Sequence, residues 1–304
     1  MPKMRPSLRI ATIYFIIGAT WILLSDVAVD TFFDDKHVIR ELQTYKGWTF
    51  VVLSALLIFA LSRQYEKHLN NKIAELRNAN QDLKLFFYKA SHDLRGPVKS
   101  ILGLTALMQM NRHDKDMPLM VTHIEQSARK ADHLIYDLDQ LTNIIEGPLQ
   151  TAPVNFPALL KKIFARLQAQ NPDFANKVNM VSQLNIKECQ SHLYLLELIM
   201  EKLLENAIVF TAPYRDSPEV AVLINRTREG LSIKVKDNGI GIHESRMHRI
   251  FDMFYKGTEA SKGSGLGLHI VRLAVERLDG KVLVDSTERI GSTFTALIPL
   301  TDNS

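Results

Sequence analysis

The sequence predicts a multi-domain protein with two transmembrane helices, an α-helical hairpin that dimerises into a four-helix bundle, and an α/β sandwich domain. Three observations support this fold class. Two apolar stretches lie at the N-terminal end, helical periodicity follows them, and strand-like and helix-like runs then alternate up to residue 300. We place the three parts at residues 1–62, 63–147 and 148–304.

Both apolar stretches are long enough to cross a bilayer, which takes about 20 residues. The first covers about residues 8–29 with Asp26 as its only acid, and the second covers about residues 46–62 with no charge after Lys46. Basic residues flank the pair and favour cytoplasmic termini. The short extracytoplasmic loop between them cannot bury a core, so we expect no ligand-binding domain there. The alternatives are a cleaved signal peptide for the first stretch and a core helix for the second.

The excess positive charge lies at the membrane end of the chain. A net charge of +4 and a pI near 9.0 would suit a nucleic-acid-binding protein. Residues 91–304, however, hold 25 basic and 25 acidic residues, so the excess lies in residues 1–90. This distribution predicts contact with a membrane and no nucleic-acid partner. The single cysteine, Cys189, excludes an internal disulfide and a multi-cysteine zinc site.

A heptad pattern follows the second apolar stretch. Residues recur in alternating steps of four and three, which is typical of a coiled-coil seam. Asn80 falls at an a position, where a polar residue favours a parallel dimer. We therefore expect a homodimer; an amphipathic helix packed within one chain is the alternative. The seam comprises Leu69, Ile73, Leu76, Asn80, Leu83, Phe87, Ala90 and Leu94.

The heptad register places His92 at the f position, farthest from the seam, so we expect its ring to be exposed. Asp93 follows it directly, and Pro97 predicts a kink one turn later. A second helical run over 117–146 completes a hairpin through a polar turn at 111–116.

The C-terminal part begins after a predicted boundary from Gly147-Pro148 to Pro153. Its alternation of short strands with helices predicts an α/β domain. Strands are predicted at 178–185, 219–226, 231–237, 281–286 and 292–299, and helices at 157–169, 191–210, 243–251 and 266–278.

Two motifs of this domain carry polar side chains suited to a nucleotide. Asn206, on the helix at 191–210, can offer its amide oxygen to Mg²⁺. Asp237 ends a strand, and Gly239 and Gly241 follow it, an arrangement that suits a purine amino group. An ordinary hairpin turn is the alternative for this second motif.

A glycine-rich loop at Gly263, Gly265 and Gly267 opens the helix at 266–278. Backbone N–H groups at such a helix start favour a polyphosphate. The polar segment that precedes the loop, after Phe254, predicts a mobile lid with lysines able to meet phosphate. These lysines are Lys256 and Lys262.

Taken together, the sequence resembles the bacterial sensor histidine kinases of two-component systems, whose ATP-binding domain is of the GHKL or Bergerat type. The resemblance covers about residues 80–300 and rests on six motifs in the family's order. They are SHDLRGP (91–97), LLENAIVFT (203–211), DNGIG (237–241), IFDMFYKG (250–257), GSGLGL (263–268) and GSTF (291–294). The resemblance implies an ATP- and Mg²⁺-dependent protein-histidine kinase in the bacterial inner membrane, with its catalytic part in the cytoplasm.

The family resemblance also implies a role for each motif residue. His92 would be the phosphoacceptor, and Asp93 would accept or orient its imidazole proton. Asn206 would hold Mg²⁺, while Asp237, assisted by Ser292 through water, would bind the adenine amino group. The residues that would shape the base pocket, lid and phosphate contact are Gly239, Gly241, Phe254, Lys256, Gly263, Gly265 and Gly267. Because no receiver-like segment follows residue 300, we expect the acceptor aspartate on a separate response regulator.

Two residues depart from the family pattern. Lys202 stands where a second asparagine is usual, four residues before Asn206, so that it either approaches phosphate or weakens metal binding. Gly96 replaces the Thr or Asn that is linked to regulator dephosphorylation, which predicts weak or absent phosphatase activity. The alternatives are an ATP-driven conformational switch without phosphotransfer and a catalytically inactive membrane scaffold.

Overall fold

The computed structural model describes residues 6–32, 35–110, 116–170, 178–211, 217–257 and 263–300. The chain divides into two compact units, residues 1–83 and 84–304, and each is described by itself. Helix α1 is Pro6–Phe32, and helix α2, Lys36–Met110, begins in the first unit and ends in the second.

The first unit contains the two predicted membrane stretches. The window Ala11–Val29 of α1 has a mean hydropathy of 1.8, and the most apolar window of α2 reaches 1.6. Neither window is buried, as expected of membrane spans and not of a core helix, although a signal sequence would also satisfy the test for the first. The helices touch where Trp21 lies 6.4 Å from Phe50 between ring centroids and where Lys46 pairs with Asp26.

The predicted hairpin is formed by the end of α2 and by α3, Met117–Glu146. Helix α2 continues through Pro97, where the imino acid costs one backbone hydrogen bond. The helix therefore does not end at Gly96-Pro97, and the kink itself stays a prediction. Most of the predicted turn, residues 111–115, lies outside the described residues.

The α/β domain consists of a mixed five-stranded sheet with helices packed on its apolar face. The sheet order is β2-β4-β5-β7-β6, in which only β2 and β4 are parallel. Alternate side chains of β4 and β7 are buried, as a sheet with one covered face requires. The elements are α4 (Phe156–Gln170), β2 (Asn179–Leu184), α5 (Leu193–Val209), β4 (Glu219–Thr227), β5 (Gly230–Asp237), α6 (Gly267–Arg277), β6 (Lys281–Thr287) and β7 (Gly291–Ile298).

The five predicted strands are confirmed, as are the helices predicted at 157–169, 191–210 and 266–278. The α-helix predicted at 243–251 is instead the 3₁₀ helix Glu244–Arg249, with three-residue hydrogen bonds such as Arg246 N to His243 O at 2.9 Å. It is short, and none of its residues is buried, so burial of an apolar face does not stabilise an α-helix there.

A two-stranded antiparallel sheet was not predicted. It pairs β1, Ala152–Asn155, with β3, Glu188–Ser191. Strand β1 begins at Ala152, inside the range Gly147-Pro148 to Pro153 that was predicted as a domain boundary, and the boundary itself stays a prediction. Proline is tolerated there because each strand of a two-stranded sheet has an edge free of ladder bonds. Four residues are too few for a periodic signal.

Candidate nucleotide and phosphoacceptor sites

The predicted base end of the site lies at the end of β5. Asp237 is 6% exposed, and its Oδ1 accepts hydrogen bonds from the backbone N–H groups of Gly239 at 2.9 Å and Ser292 at 3.2 Å. Burial raises the pKa of Asp237, and these two hydrogen bonds oppose that rise. The carboxylate is therefore held by the backbone of β7 and of the turn after β5.

The glycines after Asp237 are required by close backbone contacts. A Cβ on Gly239 would lie 2.3 Å from the Phe210 carbonyl oxygen. Gly241 has φ +67°, and a Cβ there would lie 2.0 Å from the Thr287 carbonyl oxygen. Any side chain would force these backbones apart, so the pocket wall requires glycine.

The glycine-rich loop precedes α6 as predicted. Gly265 has φ +77°, and a Cβ on it would lie 2.8 Å from the Phe254 carbonyl carbon. By contrast, apart from chain neighbours and the backbone of α6 itself, no atom of the described residues lies within 4 Å of the Cβ positions built on Gly263 and Gly267. In the part of the chain that the structure describes, the N-cap residue Leu266 makes no side-chain hydrogen bond to the start of α6, an arrangement that suits an anion there.

Lys202 and Asn206 are the two polar residues of α5 that the sequence singled out. Asn206 is half-buried, and Lys202, one helical turn earlier, is 4% exposed. The Lys202 ammonium donates to Asp137 Oδ1 at 2.7 Å and to Glu205 Oε2 at 3.3 Å. Burial lowers the pKa of Lys202, but the Glu205 and Asp137 carboxylates outweigh burial and raise it above the ordinary value. Lys202 is thus a charged, buried residue paired with α3.

The loop serine is also paired with α3. Ser264 Oγ donates to Asp137 Oδ2 at 2.5 Å and accepts from the Leu266 N–H at 3.2 Å. Through its contacts with Lys202 and Ser264, Asp137, which is 1% exposed, joins the hairpin to both α5 and the glycine-rich loop. The sequence analysis missed this contact, although a signal was present. Asp137 shares the buried face of α3 with Leu134, Leu141 and Ile144.

The predicted phosphoacceptor is exposed on α2, as its f position required. The His92 side chain is 71% exposed, and its Nδ1 lies 3.2 Å from Asp93 Oδ1. Lys256 of the lid, predicted to meet phosphate, has its Nζ 3.8 Å from Asp93 Oδ2. Phe254 packs at 6.0 Å between ring centroids from Phe86, also on α2. The lid therefore contacts the phosphoacceptor helix, while Lys262 lies outside the described residues.

Asn206 is suited to share a magnesium ion with a nucleotide. Mg²⁺ prefers a few protein oxygens together with substrate phosphates, so a single amide oxygen in the same domain as the glycine-rich loop fits that preference. Within the described ranges, no group of three or more His, Cys, Asp or Glu side chains could hold a metal without such a ligand.

Family models match both parts of the second unit. Residues 82–147 match the His Kinase A (phospho-acceptor) domain, and residues 193–302 match the histidine kinase-, DNA gyrase B-, and HSP90-like ATPase family. The fold and site thus define a phosphoacceptor hairpin joined to an ATPase domain of this class. The chain belongs to the sensor histidine kinases.

Individual relatives agree with this assignment. Sensor histidine kinase RcsC of Escherichia coli is 28% identical over 82% of this chain and 27% of its own length. Autoinducer 2 sensor kinase/phosphatase LuxQ of Vibrio vulnificus is 30% identical over 74% of this chain and 28% of its own. The chain thus spans about a quarter of the length of the curated relatives that it matches.

A solved structure shares the fold over about three quarters of this chain. Histidine kinase ThkA, crystallised with response regulator protein TrrA, matches with a TM-score of 0.59 and 17% identity. The match covers 74% of this chain and 64% of ThkA, and at 17% identity it establishes that the two chains share a fold.

Proposed function

We propose that this chain is a homodimeric, membrane-bound kinase that phosphorylates His92 from Mg-ATP and passes the phosphoryl group to an aspartate of a separate response regulator. The observation that carries the proposal is the exposed His92–Asp93 pair on a helix that the lid of the nucleotide domain contacts. Phosphoryl transfer depends mainly on positioning and charge neutralisation, which such a juxtaposition provides.

The base end recognises the nucleotide through Asp237. Two backbone N–H groups hold its Oδ1, so that Oδ2 is the acceptor for the exocyclic amino group of adenine. Ser292, buried beside it, assists through water. At the other end, the glycine-rich loop binds phosphate through backbone N–H groups, and Asn206 would hold Mg²⁺, which neutralises phosphate charge.

The His92 ring is the nucleophile. Asp93 accepts a hydrogen bond from Nδ1–H, which selects the tautomer with an unprotonated Nε2. Nε2 forms a bond to the γ-phosphorus as the bond from that phosphorus to the bridging oxygen breaks, and ADP leaves with the electron pair. The Nδ1 proton is shared with Asp93, which offsets the positive charge that develops on the ring. The regulator aspartate then attacks the same phosphorus and restores neutral His92.

A second copy of the chain would cover the apolar seam of α2. Leu76 is 70% exposed and Phe87 61% exposed, which disfavours the alternative of packing within one chain. Association into a four-helix bundle would bury this surface. On the cytoplasmic side of the membrane, the two paired α2 helices would then present their His92 rings away from the dimer seam.

Gly96 carries a proposal about phosphatase activity. LuxQ is named both a kinase and a phosphatase, yet this chain has no side chain at position 96 to orient a water. We therefore expect the protein to phosphorylate its regulator and to hydrolyse regulator phosphate weakly. Slow loss of label from a purified phosphorylated regulator, unaffected by the added protein, would agree with this; rapid loss would contradict it.

The proposed function is tested with the full chain in detergent micelles, Mg²⁺ and γ-labelled ATP. We expect acid-labile, alkali-stable label that H92Q abolishes and that H68Q, an exposed histidine on the same helix, retains. Label that survives in H92Q would mean a different phosphoacceptor. ATP hydrolysis without label would support the conformational switch, and neither activity would support the scaffold.

A further inference from the structure

A buried polar cluster joins the hairpin to the nucleotide domain, and we call it the Asp137 clasp. It consists of Asp137 on α3, Lys202 and Glu205 on α5, and Ser264 in the glycine-rich loop. Both Asp137 oxygens are engaged, Oδ1 by the Lys202 ammonium at 2.7 Å and Oδ2 by the Ser264 hydroxyl at 2.5 Å. Asp137 and Lys202 are 1% and 4% exposed.

The two hydrogen-bond donors of the clasp are groups that also bind phosphate. An ammonium, as in Lys202, and a hydroxyl in a loop before a helix, as in Ser264, bind phosphate oxygens through charge-assisted hydrogen bonds. Ser264 lies inside the predicted phosphate loop, and Lys202 lies one turn from Asn206 on the same face of α5. The carboxylate between them therefore occupies a position suited to an anion of the nucleotide.

We propose that Lys202 and Ser264 bind the γ-phosphate of ATP, and that the Asp137 carboxylate occupies their place until ATP displaces it. The inference rests on the proposed function and assigns a role to the lysine that departs from the family pattern. ADP has no γ-phosphate, so it leaves the clasp closed. Entry of ATP thus releases α3 from the nucleotide domain.

Both charged residues of the clasp have other partners when ATP has displaced Asp137, which we call the open state. Glu205 Oε2 lies 3.3 Å from the Lys202 ammonium, so a carboxylate remains beside the lysine after Asp137 leaves. His133 Nε2 lies 3.6 Å from Asp137 Oδ2 and is 41% exposed, which gives the released carboxylate a partner near solvent. The Lys202 ammonium and the Asp137 carboxylate therefore each have a partner in both the closed and the open state, and a reversible exchange requires this.

The first test measures nucleotide binding by the full chain in detergent micelles, in an H92Q background that prevents phosphotransfer. We expect D137N to bind a non-hydrolysable ATP analogue about tenfold more tightly than the H92Q chain does. The reason is that residue 137 no longer carries a carboxylate that competes with the γ-phosphate for Lys202 and Ser264. Its affinity for ADP should change less than about twofold. D139N removes the same charge from an exposed position of α3 and should change neither affinity.

The second test needs no substitution and so does not depend on the folding of D137N. Hydrogen exchange of the α3 amides at residues 134–141 should quicken with the ATP analogue and stay slow with ADP. An effect of D137N shared equally by ADP, or no analogue-specific change in exchange, overturns the inference while ATP binding stands. Failure to bind either nucleotide overturns the proposed function as well.

Discussion

Two buried carboxylates lie at opposite ends of the proposed nucleotide site, and they are held in different ways. Asp237 accepts from backbone N–H groups of its own domain, at Gly239 and Ser292. Asp137 belongs to the hairpin and accepts from the side chains of Lys202 and Ser264. The base end is thus completed by the sheet, whereas the phosphate end is completed by a helix of the other domain.

The difference shows which end of the site can rearrange. Ser292 donates from the ladder between β5 and β7 and Gly239 from the turn that follows β5, so we expect the Asp237 carboxylate to keep its place whether or not a nucleotide is bound. Side-chain donors change partner by rotating a few bonds, and Lys202 has a second carboxylate within reach. We therefore expect substitutions at the base end to affect all adenine nucleotides, and substitutions at the phosphate end to distinguish among them.

The largest effect is expected from K202M, which leaves the Asp137 carboxylate buried without its charged partner. Removing one member of a buried pair costs about 3–5 kcal/mol in the free energy of unfolding. Denaturant unfolding followed by circular dichroism measures this loss. The double variant K202M/D137L, which replaces both charges by apolar groups, should recover most of it.

R129M is the matched control for that comparison. It breaks an exposed pair, Arg129 to Glu125 at 3.0 Å, and should cost less than about 1 kcal/mol. A K202M loss no larger than that of R129M would show that the buried pair contributes no more than a surface pair.

The next effect is expected from D237N at the base end. The amide puts an N–H₂ group or a weaker acceptor where a carboxylate accepts, which costs about 1.5–3 kcal/mol for a hydrogen bond to a charged group. The dissociation constants of ATP and ADP should both rise by roughly 10- to 100-fold. Titration calorimetry measures both, with D285N on the exposed face of β6 as the control. A loss confined to ATP would contradict the assignment of Asp237 to the base.

A smaller effect is expected from G265A at the phosphate end. The residue has φ +77°, and the added Cβ would meet the Phe254 backbone, a strain of about 1–3 kcal/mol. The affinity for ATP should fall, whereas that for adenosine should be nearly retained. G257A is the control, because apart from its chain neighbours no atom of the described residues lies within 4 Å of the new Cβ. Equal losses for ATP and adenosine would mean that the loop shapes the whole pocket.

The smallest effect concerns His269, which links α6 to the segment before the lid through Phe251 O at 3.1 Å. Burial lowers the pKa of His269 below 6.5, and the carbonyl of Phe251 opposes this shift. As the pH falls, His269 is therefore protonated in the unfolded state before it is protonated in the folded state. Its contribution to the free energy of unfolding is fully present above pH 6.5 and is lost as the pH drops below that value. The slope is at most about 1.4 kcal/mol per pH unit.

H269Q should flatten the decline of stability between pH 6.5 and pH 5, measured as the denaturant midpoint at each pH. H248Q, at an exposed histidine, should leave it unchanged. An identical slope in H269Q and the unsubstituted chain would show that His269 does not titrate differently on folding.

The parts of the fold that could be predicted are those with a repeating or sharply punctuated pattern. The helix predicted over 117–146 is observed at Met117–Glu146, because its apolar spacing and the following Gly-Pro define both face and end. The strands β1 and β3 were missed because four residues carry no period. The exposure of His92 followed from the heptad register, since f is the position opposite the seam.

The residue types and order of the motifs decided, without any coordinates, that this chain combines a phosphoacceptor hairpin with an adenine-nucleotide domain. That prediction rests on the family resemblance carried by six motifs in order, because the local spacing of Asp237, Gly239 and Gly241 alone also fits an ordinary hairpin turn. Only the tertiary structure showed what Lys202 contacts. Its partner Asp137 lies 65 residues earlier on another helix, and a pair so distant in sequence meets only when the two helices pack.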